Sequence, residues 1–467
     1  MPDDRETTAV FTNPLLDHDV PDPDAIALST GGWGLVASSF DRSPGLPLWH
    51  SDDLMNWTPV GHAGGYRPDS PHDGGVWAPS LREHDGRLFV VWGDPDRGVL
   101  VVDAPSIEGP WSEPRLVLEA RGVIDACPFW GEDRAVIVHG WARSRAGFAN
   151  RLDVFDVDPA LTRALGPSRT VIDGEAIEGC TTLEGPKAYS RDGMLWVLAP
   201  AGGVATGWQY AFRAPAWDGP WEHRLVLEQG GTRVNGPHQG AWIPGEDGEE
   251  WFLHFQAKGA LGRVLHLQPL RWSDDGWPLI GETDEGGTGT PVPSWPTPRG
   301  GSTPAPRPRG GDAFSRERLS AAWHSRHALP AELVESVGGG RLTLLGHPDA
   351  ALLRPLDGAH RRIETTVLSA HGAEAAFVLV DSVTRELRLD ADGRAQLVLG
   401  DSPATALDTV GTRIGVEIDG LVARFLLDGR AVGEPLSLEG RRWTGAEWGL
   451  AARGPGRVLF GPVEVTA

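Results

Sequence analysis

Cysteine, lysine and tyrosine are nearly missing from this chain. Its 467 residues include 2 cysteines, 3 tyrosines and 3 methionines, and only two of its 42 basic residues, Lys187 and Lys258, are lysine. Cys127 and Cys180 are too few for a disulfide framework and lack CxxC spacing, so small buried core residues are expected at both. No stretch reaches the roughly 18–20 consecutive apolar residues of a membrane span, which excludes a helical membrane protein. The opening Met1-Pro2-Asp3-Asp4-Arg5-Glu6 lacks the basic start and apolar run of a secretory signal, so a cytoplasmic location is expected. Basic excess is missing as well. With 64 acids against 42 bases the formal net charge is −22, and a field of that sign repels phosphate backbones, arguing against nucleic acid as a partner. Arginine replaces lysine almost everywhere either would serve. The two surviving lysines therefore mark positions where a compact ammonium is needed in place of a planar guanidinium.

Tryptophan is plentiful instead, with 20 residues. Most are expected to fill gaps between packed sheets, although the same rings stack on sugars. Several tryptophans belong to a repeat of about 55 residues, the signature of one unit repeated radially or in a stack. Each unit closes on a tryptophan or glycine-proline turn: Asn56-Trp57-Thr58, Gly109-Pro110-Trp111, Gly166-Pro167-Ser168, Gly219-Pro220-Trp221 and Asp275-Gly276-Trp277. Each begins with a short opening segment: Pro21-Asp22-Pro23, Val76-Trp77-Ala78-Pro79, Ile124-Asp125-Ala126-Cys127-Pro128, Leu183-Glu184-Gly185-Pro186 and Gly236-Pro237-His238-Gln239.

Between these segments lie runs rich in Val, Leu, Phe and Trp, bounded by Gly, Asp and Pro, which read as strands. They cover 33–40, 88–92, 99–102, 135–139, 152–157, 195–199, 208–212, 250–255 and 264–270. Long helical periodicity is absent. Five units of three or four strands predict an all-β chain that begins with a five-bladed β-propeller over 1–280. A Pro/Gly-rich linker follows over 281–311. Alternating runs over 312–467, with the hairpin dipeptides Asp419-Gly420 and Asp428-Gly429, predict a β-sandwich of eight or more strands. No carboxylate of the sandwich has a comparable setting, so this domain is read as structural or as a wall of the site.

Radial repetition would bring the opening segments together around one axis, and with them Asp22, Asp125 and Glu184. Hydrolysis of a glycosidic bond needs a protonated carboxylic acid for the leaving oxygen and a second carboxylate that activates water or attacks directly. The environments of the two must push their pKa values apart. A third carboxylate beside the acid can do so, because like charges raise a neighbour's pKa.

At this point the chain resembles glycoside hydrolase family 43, which contains β-xylosidases, α-L-arabinofuranosidases and arabinanases. The first-blade match consists of Asn13-Pro14, Pro21-Asp22-Pro23, Ser38-Ser39-Phe40, Pro44-Gly45-Leu46-Pro47, His50-Ser51-Asp52-Asp53-Leu54 and Asn56-Trp57. Trp77-Ala78-Pro79, Asp125, Glu184-Gly185-Pro186, Gly236-Pro237-His238-Gln239-Gly240 and Gly262-Arg263 continue it through all five blades. The tail resembles the concanavalin-like β-sandwich of the family's two-domain β-xylosidases. The resemblance implies that Asp22 is the general base, Glu184 the general acid, and Asp125 the residue that orients Glu184 and raises its pKa. It implies inversion by single displacement, with base and acid roughly 6.5–9.5 Å apart. Phe40 and Trp77 would line the sugar pocket, Arg263 would bind sugar hydroxyls, and His238 would stand near the axis, where family members hold a water or a calcium ion. No cofactor is otherwise implied.

Two positions depart from the family pattern. Asp24 stands where many members carry serine, and Lys187, counted with the substrate-binding residues, stands where many xylosidases have histidine. The fifth-blade segment Gly236-Pro237-His238 also differs from that of the best-known xylosidases. The expected function is exo-acting, inverting release of β-D-xylose and/or α-L-arabinofuranose from short oligosaccharides, as in xylan degradation. An exo-glycosidase of another specificity, galactosidase-like, and a carbohydrate-binding propeller without turnover remain the alternatives. The residues leave the oligomeric state open.

Overall fold

The computed structural model describes residues 9–64, 75–245, 248–299, 310–441 and 443–466. The opening hexapeptide and Pro304-Ala305-Pro306-Arg307-Pro308 of the expected linker lie outside them. Five four-stranded antiparallel units form the propeller, each built from strands consecutive in sequence. Their innermost strands are Asp24–Ala27, Ser80–His84, Val123–Trp130, Lys187–Arg191 and His238–Pro244. Their outermost strands are Thr58–His62, Arg115–Glu119, Arg169–Asp173, Glu222–Leu227 and Pro278–Ile280, each preceded by one of the closing turns.

Each pair of neighbouring blades encloses its own apolar layer. Trp92, Val36 and Leu81 fill the space between blades 1 and 2. Trp196, Phe252 and Trp277 fill that between blades 4 and 5, and Trp33, Trp49 and Trp251 that between blades 5 and 1. A buried tryptophan hides about 200 Å², roughly 5 kcal/mol of hydrophobic stabilisation. Such rings suit the widening gap between radially arranged sheets. Cys127 and Cys180 are free and buried in the layer between blades 3 and 4, as expected.

The ring closes without a shared blade. Val10–Thr12 pairs with Ser294–Pro296. The Asn13 amide donates to the Leu267 and Val292 carbonyls at 2.8 and 2.9 Å while its oxygen accepts from the Leu267 amide at 2.9 Å. The first part of the expected linker is thus ordered against the propeller. Its Glu282–Thr283 and Gly289–Thr290 strands extend the blade 4 sheet.

The second domain is two antiparallel sheets of seven strands each. Glu374–Val380 lies near the centre of one and His360–His371 near the centre of the other. Their inner faces enclose a core containing Trp323, Phe377, Trp448 and Phe460. That core also takes in Ala260, Leu261 and Val264 of blade 5, so the two domains share apolar contact. Both predicted hairpin dipeptides lie at hairpins, and Asp428 and Gly429 each have positive φ (46° and 76°), as a tight two-residue turn between right-twisted strands requires.

The run expected as a strand over 33–40 stops at Val36. Beyond it the backbone turns to the axis, where Ser38 N donates to Pro21 O and Phe40 N to Val76 O, both at 2.9 Å.

Candidate active site

Each of the five opening segments carries one residue in the left-handed region, Asp22 (φ 50°), Ala78 (37°), Asp125 (58°), Gly185 (58°) and Gly236 (47°); Asp125 lies inside its inner strand at a break in register and the others just before theirs. Four of the five precede proline. Glycine adopts this conformation freely and aspartate tolerates it, whereas alanine is strained there by about 1–3 kcal/mol. The turn delivers each opening segment to the axis with its side chains directed inward. Asp22 and Asp125 occupy the left-handed position itself and Glu184 the residue just before it, a one-residue offset that glutamate's extra methylene suits.

One glycine makes the approach possible. A Cβ on Gly93 would lie 2.6 Å from the Ile124 backbone, so the second strand of blade 2 admits the backbone that carries Asp125 only because glycine stands there.

Asp22 and Asp125 are each 5% exposed, and the Glu184 side chain 25%. Both oxygens of Asp22 are engaged. Arg263 Nη1 donates to Oδ1 at 2.5 Å, and Ser38 Oγ donates to Oδ2 at 2.5 Å. Ser38 Oγ in turn accepts from Ala78 N at 2.6 Å, tying the base-side carboxylate to blade 2. Asp125 Oδ2 accepts from Gly185 N at 2.8 Å, the peptide that follows Glu184. Burial, then the charges of Asp125 and Asp22, hold Glu184 well above the ordinary carboxylate range, against the opposing pull of Arg263. Asp125 is also raised, chiefly by burial, despite its bond from Gly185. The trio thus favours a shared proton on the Asp125–Glu184 side.

His238 is 1% exposed, and neither ring nitrogen meets a hydrogen-bond partner among the described residues. Its Nε2 lies 3.5 Å from Glu184 Oε1. Burial, with Arg263 nearby, lowers its pKa to about 3, so the ring is neutral. Neutral imidazole nitrogens suit water. Calcium takes six to eight oxygen ligands, and among the described residues no three His, Cys, Asp or Glu side chains converge as a metal site. The donor set around His238 does not fit a protein-held calcium ion.

Phe40 and Trp77 are tilted at 6.5 Å between centroids, and Arg263, which bonds Asp22, lies 5.4 Å from the Phe40 ring centre. Lys187 does not join them. Its side chain is fully buried at the axis, with Nζ donating to Pro79 O and Ser80 Oγ at 2.7 and 2.8 Å and 3.5 Å from Asp24 Oδ2. A sugar-facing role is corrected to a place behind the pocket, because the ammonium's three donors are already directed at protein acceptors. Asp24 likewise points away from Asp22 and accepts from Arg82 Nη1 at 2.7 Å and Leu81 N at 2.9 Å.

One wall comes from the second domain. Trp443 stacks on Phe40 at 6.2 Å and 6° and lies 5.8 Å from Trp77. Sequence reasoning missed it because no local signal marks which loop of the sandwich faces the propeller. A separate cavity of about 680 Å³ lies between the domains, lined by His18, Arg42, His62, Arg316 and Asp357 among others. None of the three carboxylates lines it.

The propeller that carries these three carboxylates matches a known family in sequence. Residues 11–278 match the model of glycosyl hydrolases family 43. The chain belongs to that family. Among curated relatives of this family 43 chain, a putative beta-xylosidase of Xylanibacter ruminicola is 39% identical over 284 residues, covering 59% of this chain and 52% of that protein. A beta-xylosidase of Formosa agariphila is 29% identical, covering 68% and 58%. A non-reducing end alpha-L-arabinofuranosidase of Bacteroides ovatus is 28% identical, covering 58% and 54%. The chain thus spans little more than half the length of these relatives. In fold it is similar over 98% of its length to a xylan beta-1,4-xylosidase of Bacillus halodurans, all of which is covered, with TM-score 0.80 and 20% identity.

Proposed function

We propose that this chain is an exo-acting, inverting glycoside hydrolase that releases β-D-xylose and/or α-L-arabinofuranose from short oligosaccharides, with the propeller over 1–280 as its catalytic unit. The observation that carries the reading is the division of labour among three converging carboxylates. One is fixed by a guanidinium and a hydroxyl, and two are held toward the protonated form by burial and by neighbouring carboxylates, Asp125 and Asp22 acting on Glu184 and Asp22 on Asp125. The names of the relatives support the sugar class.

In this mechanism Glu184, protonated, gives its proton to the leaving glycosidic oxygen. Asp22, oriented by Arg263 and Ser38, takes a proton from the attacking water. Asp125 keeps the Glu184 backbone in place through Gly185, and in the singly protonated pair its ionised form favours the proton on Glu184. Water adds at the anomeric carbon as the glycosidic bond breaks, with no covalent sugar–enzyme intermediate. Arg263 also lies where it can donate to a sugar hydroxyl, and Phe40, Trp77 and Trp443 offer apolar faces to a pyranose or furanose ring. A pocket closed on one side by Trp443 suits a terminal sugar better than an internal one.

The test is hydrolysis of p-nitrophenyl β-D-xyloside and α-L-arabinofuranoside by wild type, Asp22→Ala and Glu184→Ala, with the first-formed anomer read by proton NMR. Turnover that collapses in both variants and yields the inverted sugar supports the reading. Retention of configuration, or activity that survives both substitutions, overturns it.

A further inference from the structure

The two departures from the family pattern meet each other. Asp24 lies two residues past Asp22, and Lys187 three past Glu184. Both are 0% exposed, with Lys187 Nζ 3.5 Å from Asp24 Oδ2. The same oxygen accepts from Arg82 Nη1, whose Nη2 donates to Cys127 Sγ at 3.2 Å. Inner strands of four blades therefore converge on one buried cluster of a carboxylate and two cations. The cluster also touches the reacting side. Lys187 Nζ bonds Pro79 O, the neighbouring Ala78 N bonds Ser38 Oγ, and Ser38 Oγ bonds Asp22 Oδ2. A continuous path links the base to the strand that carries the acid.

Resting on the reading of Asp22 and Glu184 as base and acid, we propose that Asp24 and Lys187 are a coupled positioning pair. They lock the acid's strand against the base's strand across the axis and place a fixed positive charge behind Asp125. Lysine suits this position because three acceptors from blades 1 and 2, Asp24 Oδ2, Pro79 O and Ser80 Oγ, surround one point, and a planar guanidinium cannot address them. The pair is interdependent, since a buried charge without its partner is strongly unfavourable. Removing Asp24 leaves two buried cations, Lys187 and Arg82, facing each other. Removing Lys187 leaves the Asp24–Arg82 pair intact, so the two losses are unequal.

Asp24 and Asp125 act on Lys187, and Asp24, Cys127 and Tyr189 on Arg82, which shares Asp24 with it; the groups facing the Asp125–Glu184 pair are Asp22, Arg263, His238 and Lys187. Of these, Lys187 and Arg263 oppose protonation of Asp125. Taking away the ammonium therefore shifts the pair toward its protonated form.

The experiment compares Lys187→Met, Asp24→Ser and the double variant by kinetics, thermal melting and 13C-carboxyl NMR titration. Ordinary carboxyls have finished titrating by about pH 6, which isolates the raised pair. Expected are a loss in kcat of about tenfold for Lys187→Met and a hundredfold or more for Asp24→Ser, with KM within about threefold. The double variant exceeds Asp24→Ser alone in kcat and in melting temperature. Lys187→Met moves the high-pH carboxyl titration, and the alkaline limb of kcat with it, upward. If Asp24→Ser does not fold, recovery of a folded double variant carries the same coupling. Losses that multiply independently, or a carboxyl titration unmoved in Lys187→Met, overturn the proposal. A wild type inert on every glycoside defeats the assigned function instead, and the NMR titration and melting comparison still decide the pair.

Discussion

The indole of Trp443, carried by the second domain, lies parallel to the Phe40 ring of the first, 6.2 Å away and 6° from coplanar. The contact is held by backbone as well as by rings, because Ala446 N donates to Ala260 O at 2.7 Å beside the loop that bears Trp443. The sandwich therefore sets an indole against Phe40 and Trp77 of the propeller. Loss of one aromatic face is worth roughly 1.5 kcal/mol, a factor of about ten. Trp443→Ala is expected to raise KM for xylobiose or an arabinofuranosyl disaccharide about tenfold while changing kcat less than threefold. Steady-state kinetics on the disaccharides check this, and an equal fall in kcat would place Trp443 in the chemistry.

Glu184 gives a stability prediction with a defined sign. Its folded pKa is raised above the unfolded value of 4.5, mainly by burial and by Asp125. Below the unfolded value the carboxyl is protonated in both states and contributes no difference. As pH rises through the folded value, the unfolded chain has already released its proton and the folded state is penalised. Glu184→Gln removes the penalty but keeps the shape. Its melting temperature is expected to match wild type at pH 4 and to exceed it by about 3 °C at pH 9. Differential scanning calorimetry across that range is the check, and a gain already present at pH 4 would assign the effect to packing.

Ser38 joins two functions in one hydroxyl, donating to Asp22 and accepting from Ala78 N. Ser38→Ala frees one oxygen of the base and leaves a buried peptide N–H without its acceptor. A hydrogen bond to a charged group is worth about 1.5–3 kcal/mol, so kcat/KM is expected to fall about 10- to 100-fold. The same measurement at saturating substrate should show the loss in kcat, because Ser38 is fully buried and bonds Asp22 and the Ala78 peptide rather than solvent or sugar.

The repeat in sequence was enough to read the blade order, because closing turns and opening segments recur at nearly fixed spacing and radial packing follows from that recurrence. The convergence of Asp22, Asp125 and Glu184 was legible for the same reason, since each lies in one of the recurring opening segments. The positive φ beneath them was not, since Ala78 gives no sign of it and only Gly185 and Gly236 do. Lys187 was read toward the sugar from its nearness to Glu184. Strand alternation, counted from Glu184 across the left-handed Gly185, sends it behind the pocket instead. Trp443 and the partners of Glu447 depend on which loops of two domains touch, and no local pattern encodes that.

Glu447 is the buried hinge point of that contact, and it argues for a last test. It is fully buried and receives Arg42 Nε from the propeller at 2.5 Å, with Arg326 Nε and His324 Nε2 from its own domain, both at 2.8 Å. Arg42 also reaches Asp19 at 2.7 Å, and Asp19 accepts from the backbone N of Arg263 at 2.8 Å, so the ion cluster leads to the residue that holds Asp22. Arg326 and Arg42, with His324, hold the Glu447 carboxyl well below its ordinary value of 4.5. The stabilisation is therefore present above pH 4.5 and is lost as pH falls below that value toward the folded one. Glu447→Gln takes one counter-charge from each of two buried guanidiniums, leaving Arg42 with Asp19 and Arg326 with Asp41, a loss of about 3 kcal/mol. The variant is expected to melt well below wild type at pH 7, with the gap narrowing as the pH is lowered beneath 4.5. A gap independent of pH would mean that shape, and not charge, joins the two domains at this point.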